Sequence, residues 1–245
     1  MNSPENPSTV LITGASSGIG AALAHRFARA GNRMVLVARR ADRLQALARA
    51  LAARLRRRRL AIDILVNNAG VLEHGAFLRL NAERQQQLID LNVSGLTAML
   101  AHFVPAMVER GRGRVLNLAS IAAFQPVPSL ATYAASKAYV LSLSESLAEE
   151  LRDSGVTVTA LCPGITATPM LRAVAEASAS LARLPDFLVS EVDAVAAEGY
   201  EACMQGEVIR VPGLLNQAAT IAGRAVPKWL LRRIAGSIGR STLDD

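Results

Sequence analysis

The segment Thr9-Val-Leu-Ile-Thr13 runs directly into Gly14-Ala-Ser-Ser-Gly-Ile-Gly20, and no other stretch limits the fold as sharply. Its β-branched and aliphatic side chains fit a short buried strand. The glycines then require a tight turn, and Ile19–Ala30 has helical periodicity, with Gly31 placed for a left-handed helix end. Such a strand–turn–helix unit lets the backbone approach a ligand closely and offers it the N–H groups and positive dipole end of a helix. That arrangement suits a pyrophosphate. The residues that would line it are Gly14, Ser16, Ser17, Gly18, Ile19 and Gly20.

Beyond this unit, apolar runs and helical stretches alternate, the pattern of a parallel sheet with helices on both faces. Further strands are expected at Arg33–Ala38, Ile62–Val66, Arg114–Ala119, Val156–Leu161 and Glu207–Val211. Helices are expected near Ala82–Val108, Tyr133–Asp153 and Glu191–Met204, and over Asp42–Arg58, where Leu44, Leu47, Leu51 and Leu55 recur at helical spacing. No repeat and no Pro-, Gly- or Ser-rich linker divides the 245 residues, so one α/β domain over 1–245 is expected. A hydrophobic share of 51 % against 19 % charged residues excludes a disordered chain.

The two cysteines, Cys162 and Cys203, cannot build a disulfide framework and fit a reducing compartment. The first residues lack the basic and apolar regions of a secretory signal. No uninterrupted apolar run reaches the roughly 18 residues of a membrane-spanning helix. The expected setting is cytoplasmic. A formal net charge of +7 raises the question of an anionic partner. Of the 27 basic residues only Lys137 and Lys228 are lysine. An Arg- and Ala-rich, Lys-poor chain is what GC-rich coding produces without such a partner. Aromatic residues make up only 4 %, which leaves few stacking platforms, so nucleic-acid binding is not expected. His25, His74 and His102 are scattered, and no metal site is expected.

The second expected strand ends in Ala38-Arg39-Arg40. An acidic residue there would hold a ribose 2′-hydroxyl, whereas guanidiniums suit a 2′-phosphate, so NADP(H) is favoured over NAD(H). Tyr133 and Lys137 stand four apart on an expected helix and share one face. A neighbouring ammonium would lower the phenol's pKa and make it a usable proton donor and acceptor near neutrality. Ser120, 13 positions before Tyr133, follows an expected strand and can hydrogen-bond a carbonyl oxygen.

With these pieces together, the sequence resembles the short-chain dehydrogenase/reductase family. The matching motifs are Thr13–Gly20, Asn67-Asn-Ala-Gly70, Leu91-Asn-Val-Ser-Gly95, Ser120, Tyr133-Ala-Ala-Ser-Lys137 and Pro163-Gly-Ile-Thr-Ala-Thr168, in the family's order over nearly the whole chain. The resemblance implies a Rossmann-type doubly wound parallel sheet and hydride transfer between a nicotinamide and a carbonyl or alcohol. It implies Tyr133 as general acid/base and Lys137 as holder of the nicotinamide ribose. Ser120 would polarise the carbonyl, and Asn92 would anchor a proton-relaying water. Asn67, Ala69 and Gly70 would pack beside the adenosine half. Pro163, Gly164, Ile165 and Thr168 would reach the carboxamide and phosphate end.

One departure stands out. Only 28 residues separate Ala38 from Asn67, enough for one βαβ unit and too few for the two the family usually places there. The usual edge strand and one helix are therefore expected to be missing, leaving Arg33–Ala38 as the sheet edge. The adenine-contacting Asp on the missing strand would be lost with it. A right-handed crossover would put Asp42–Arg58 on the face opposite Ile19–Ala30. Its basic end, Arg56–Arg59, would then lie at the edge of the sheet away from the cofactor, as a solvated helix end.

On the substrate side, residues 170–190 are an apolar, Ala-rich stretch with Leu171, Leu181, Leu184 and Phe187, where the resemblance implies a substrate lid. With Phe124, Pro126 and Val127 it suggests a hydrophobic carbonyl or alcohol substrate, although ordinary core packing explains the same residues. Residues 214–240 mix Leu215, Ile221, Val226, Trp229, Leu230 and Ile234 with Arg224, Lys228, Arg232 and Arg233. Packing over its own pocket or against a partner subunit is favoured for this basic amphipathic segment over contact with an anionic membrane. A homo-oligomer is expected. The shortened half also motivates a rival reading, a non-catalytic binding or dimerisation module of the same fold with impaired cofactor binding.

Overall fold

A computed structural model of the chain describes residues 7–37, 51, 54, 55, 57, 60–176 and 185–225. Six parallel strands form the sheet: β1 Thr9–Thr13, β2 Arg33–Val37, β3 Ile64–Asn67, β4 Gly113–Leu118, β5 Val156–Leu161 and β6 Ile209–Arg210. Their order is β2-β1-β3-β4-β5-β6. The helices are α1 Gly18–Arg29, α2 Ala82–Ile89, α3 Leu96–Glu109, α4 Ala131–Glu150, α5 Pro169–Glu176, α6 Val192–Gln205 and α7 Leu214–Ala225. This is the doubly wound, Rossmann-type sheet, and among the described residues β2 is its edge beside β1, as the short β2–β3 connection requires.

Parallel strands bury both faces, so successive side chains feed two separate cores. Leu11, Leu65, Val115 and Val158 point to one face and meet Met99, Phe103 and Met107 of α3 and Val140 and Leu141 of α4. Val10, Ile12, Val66, Leu116 and Leu161 point to the other and meet Leu23 and Phe27 of α1 and Val195 and Cys203 of α6. The Phe27 ring packs edge-on against Tyr200, with centroids 4.9 Å apart. Within the β2–β3 connector Leu51, Arg54, Leu55 and Arg57 are helical, with Leu55 buried and Leu51 packed on the α3–α4 face. That is the side opposite α1, as right-handed crossover demands. Arg57 is exposed, and the rest of the Asp42–Arg58 helix lies outside the described residues.

Several boundaries differ from the sequence expectation. The strand expected at Ile62–Val66 is Ile64–Asn67, because the Ile62 carbonyl accepts a bond from the Arg110 guanidinium at 2.6 Å. The strand expected at Glu207–Val211 contracts to two residues, because the Glu207 N–H closes the end of α6 on the Ala202 carbonyl at 3.0 Å. The helix expected over Ala82–Val108 is interrupted by a π-helical turn, Asp90–Gly95, between α2 and α3. The stretch Ala82–Glu109 is long and apolar enough to cross a membrane by length and composition. Here Leu96, Met99, Leu100, Phe103, Val104 and Met107 bury their side chains under the sheet, the place of a core helix.

Candidate active site

The glycine turn is clasped to the loop after β3. Thr13 Oγ1 donates to the Val66 carbonyl at 3.4 Å and accepts from the Asn68 and Ala69 N–H groups at 3.1 and 3.0 Å. Asn68 Nδ2 donates to the carbonyls of Thr13 and Gly14, each at 3.0 Å. A Cβ on Gly20 would lie 2.2 Å from Asn68 Nδ2 and 2.5 Å from the Gly14 oxygen. Only glycine permits that approach, and Gly14 itself has φ +67°. Ser16 and Ser17 are exposed, and Ser17 at the α1 N-cap makes no side-chain cap bond. The first turn of α1 carries no acidic residue, so its N-terminal N–H groups and dipole meet no fixed carboxylate there. These features fit a pyrophosphate. Across the turn, Thr168 packs on Gly18, with its Cγ2 3.2 Å from where a Cβ would stand.

Ser120 follows β4 at the same sheet edge, in extended backbone, and its Oγ accepts from the Ala122 N–H at 3.1 Å. Its hydroxyl is also hydrogen-bonded to the Tyr133 phenol. Tyr133 and Lys137 share a face of α4 as expected, with Lys137 Nζ 5.7 Å from the phenol ring centre. Nζ donates to the Leu118 carbonyl at 2.7 Å. Asn92 lies in the π-helical turn, 1 % exposed. Its Oδ1 accepts from the Val71 N–H at 3.0 Å, and its Nδ2 donates to the Val71 carbonyl and to Ser136 Oγ at 3.0 and 3.1 Å. Ser136 Oγ donates in turn to the Tyr133 carbonyl at 2.7 Å. Gly70 closes the group: a Cβ there would stand 3.2 Å from Asn92 Oδ1 and 3.5 Å from Lys137 Nζ.

The electrostatics correct one expectation. Burial raises the Tyr133 phenol above its ordinary value, with the Ser120 hydrogen bond working against the rise, and Lys137 does not depress it. The ammonium reaches to the Leu118 carbonyl rather than to the phenol oxygen. Burial also pulls Lys137 itself down to about 8 from an ordinary 10.5, opposed by the charge of Cys162 nearby. This has a measurable consequence. A lysine with a depressed folded pKa binds fewer protons folded than unfolded between about pH 8 and 10.5, so its cost is complete below pH 8 and fades as pH rises to 10.5. Lys137→Met is therefore expected to raise stability at pH 7 by about 2–3 kcal/mol. In paired thermal melts the advantage should vanish by pH 10.5; a gap independent of pH would refute the assigned cause.

The segment after β5 forms the remaining wall. The Pro163 carbonyl accepts from the Ile121 N–H at 3.0 Å, which ties it to the Ser120 turn. The Ile165 carbonyl accepts from the Ser190 N–H at 2.8 Å. Gly164 lies against the Asn216 amide of α7, 2.5 Å from the position of a Cβ, so α7 borders the site. Met170 and Phe187 of the expected lid are exposed, at 38 % and 76 %. The lid residues 177–184, the C-terminal segment beyond 225, and both Arg39 and Arg40 lie outside the described residues.

The sequence reading did not single out Asn68, Asn117, Ser136 or Ser144. Asn67, expected beside an adenosine, is buried and donates through Nδ2 to Asn117 Oδ1 at 2.9 Å. Asn117 sits in the buried half of β4, between Leu116 and Leu118. That placement is itself a signal, because a buried amide needs partners.

The family model for short chain dehydrogenase matches residues 8–61 and 48–179. The chain is 36 % identical over 193 residues to oxidoreductase UcpA of Salmonella typhimurium, covering 69 % of this chain and 73 % of the relative. It is similar to the structure of a short-chain dehydrogenase from Sphingobium yanoikuyae in complex with NADPH, with 35 % identity, TM-score 0.74, and 89 % of this chain and 93 % of that one covered. A bulky-bulky ketone specific alcohol dehydrogenase from Comamonas testosteroni matches at 31 % identity and TM-score 0.70, over 91 % of this chain and 96 % of its own.

Proposed function

Because this chain belongs to the short-chain dehydrogenase family, we propose that it is an NADP(H)-dependent oxidoreductase for a hydrophobic aldehyde, ketone or secondary alcohol. The observation that carries the reading is the convergence of Ser120, Tyr133 and Lys137, with Lys137 and Asn92 meeting at Gly70, beside a turn fitted to a pyrophosphate. The nicotinamide, when bound, supplies the hydride donor or acceptor. Gly14, Ser16, Ser17, Gly18, Ile19 and Gly20 hold the pyrophosphate, Asn67, Ala69 and Gly70 border the adenosine half, and Pro163, Gly164, Ile165 and Thr168 border the carboxamide end. Arg39 and Arg40 select the 2′-phosphate. Lys137 holds the nicotinamide ribose, and Asn92 anchors the water that passes protons towards it.

Ser120 donates a hydrogen bond to the substrate oxygen, and Tyr133 delivers its phenolic proton there or removes it in the reverse direction. Burial that raises the phenol keeps it protonated at neutral pH, which supports reduction of a carbonyl. The exposed apolar side chains of Met170 and Phe187 support a hydrophobic substrate, and the Comamonas relative places bulky ketones first in a screen. The molecule works as one cytoplasmic domain in a homo-oligomer.

Fluorescence titration with NADPH and NADH tests this. NADPH is expected to bind at micromolar concentration and more tightly than NADH, and Arg39→Ala should weaken it about tenfold, the loss of one charge-assisted contact. Failure of folded protein to bind either nucleotide would favour the non-catalytic module, the reading prompted by β2 forming the edge of the described sheet.

A further inference from the structure

Beneath the candidate site, on the sheet face covered by α4, three buried polar side chains form a continuous chain. Asn67 of β3 donates through Nδ2 to Asn117 Oδ1 of β4 at 2.9 Å, and the two residues are register partners. Asn117 Nδ2 donates to Ser144 Oγ of α4 at 2.9 Å, and that hydroxyl donates to the Val140 carbonyl at 2.7 Å. Asn117 and Ser144 are both fully buried and Asn67 is 3 % exposed. Ser144 lies seven residues after Lys137, two helical turns along the same face.

Apolar side chains surround this chain, and their contacts alone would stabilise the helix on the sheet without choosing one placement, because apolar packing is non-directional. Hydrogen bonds tolerate only a few tenths of an ångström and a narrow range of angles. They therefore fix what the apolar contacts leave loose. Each residue of the chain sits on an element that carries part of the candidate site: Asn67 precedes the Asn68–Gly70 loop, Asn117 stands three residues before Ser120, and Ser144 rides on the helix of Tyr133. We infer that Asn117 and Ser144 are positioning residues that fix α4 on β4 along its axis and about it, and so set where Tyr133 stands relative to Ser120. The inference rests on the reading of Tyr133 as the proton donor and acceptor. Lys137 Nζ to the Leu118 carbonyl is the second tie between the same two elements. It leaves the helix able to swing about that point when the Asn117–Ser144 bond is lost.

The test uses the full chain carrying tyrosine labelled with carbon-13 at the ring carbon bonded to the hydroxyl. There are only three tyrosines, and the Tyr133 signal is identified by its loss in Tyr133→Phe. In Ser144→Ala the Tyr133 signal is expected to move while that of Tyr200, on α6, stays, and Ser144→Thr, which keeps the hydroxyl, should restore it. With NADPH and 4-nitrobenzaldehyde as the probe pair, kcat should fall about tenfold in Ser144→Ala, with KM for NADPH within twofold. Should Ser144→Ala not fold, Ser144→Cys, which keeps the volume and weakens the bond, is read in the same way. A Tyr133 signal unmoved in folded Ser144→Ala or Ser144→Cys overturns the inference. Absence of turnover in the unaltered protein would instead count against the reductase reading, while the spectrum still decides the placement of Tyr133.

Discussion

Tyr133→Phe is expected to lower turnover of any carbonyl substrate by about 100- to 10,000-fold, the range for removing a positioned general acid. The change deletes one oxygen. The ring stays where α4 places it, Lys137 keeps its bond to the Leu118 carbonyl, and Ser120 Oγ keeps the Ala122 N–H. The structural loss is the Ser120–Tyr133 hydrogen bond, about 1 kcal/mol, or a thermal midpoint lower by roughly 2–4 °C in a chain of this size. Activity and stability therefore separate. Nucleotide affinity, measured by the same fluorescence titration, should stay within a few-fold. Turnover above a tenth of the unaltered level in well-folded Tyr133→Phe would remove Tyr133 from the mechanism.

Gly20→Ala should act on the other half of the site. The added Cβ would meet Asn68 Nδ2 at 2.2 Å and the Gly14 oxygen at 2.5 Å, so Asn68 must leave the Thr13 and Gly14 carbonyls or the turn must open. Crowding of this kind costs about 1–3 kcal/mol. The larger effect falls on binding, because a turn displaced by an ångström misdirects the N–H groups aimed at the pyrophosphate, a loss of order 100-fold. NADPH titration and a thermal melt read both quantities. Gly31→Ala is the control: Gly31 also has positive φ, +79°, but nothing lies within 4 Å of its Cβ position. It should lose about 1 kcal/mol of stability and no affinity. Equal nucleotide affinity in Gly20→Ala and the unaltered protein would show that the turn does not hold the phosphates.

These two positions were legible in the chain for different reasons. Gly20 belongs to a local turn whose geometry follows from a few consecutive residues, and Tyr133 and Lys137 meet because four residues make about one helical turn. The short β2–β3 connection was legible by counting, and the β2 edge and the side taken by Leu51 and Leu55 followed from it. The state of the phenol was not. Spacing put an ammonium near Tyr133, but the direction of its shift depends on burial and on where Nζ points, and Nζ points to the Leu118 carbonyl.

The same division runs through the whole molecule. The sequence by itself determined the alternation of strands and helices, the glycine turn after β1 and the shared helix face of Tyr133 and Lys137. Each of those depends on backbone geometry repeating over a handful of neighbours. Only the tertiary structure decided that Asn68 locks the glycine turn, that a π-helical turn carries Asn92, and that Asn117 meets Ser144. Such partners stand tens of residues apart, and strand order together with the packing of α4 on the sheet brings them within hydrogen-bonding distance.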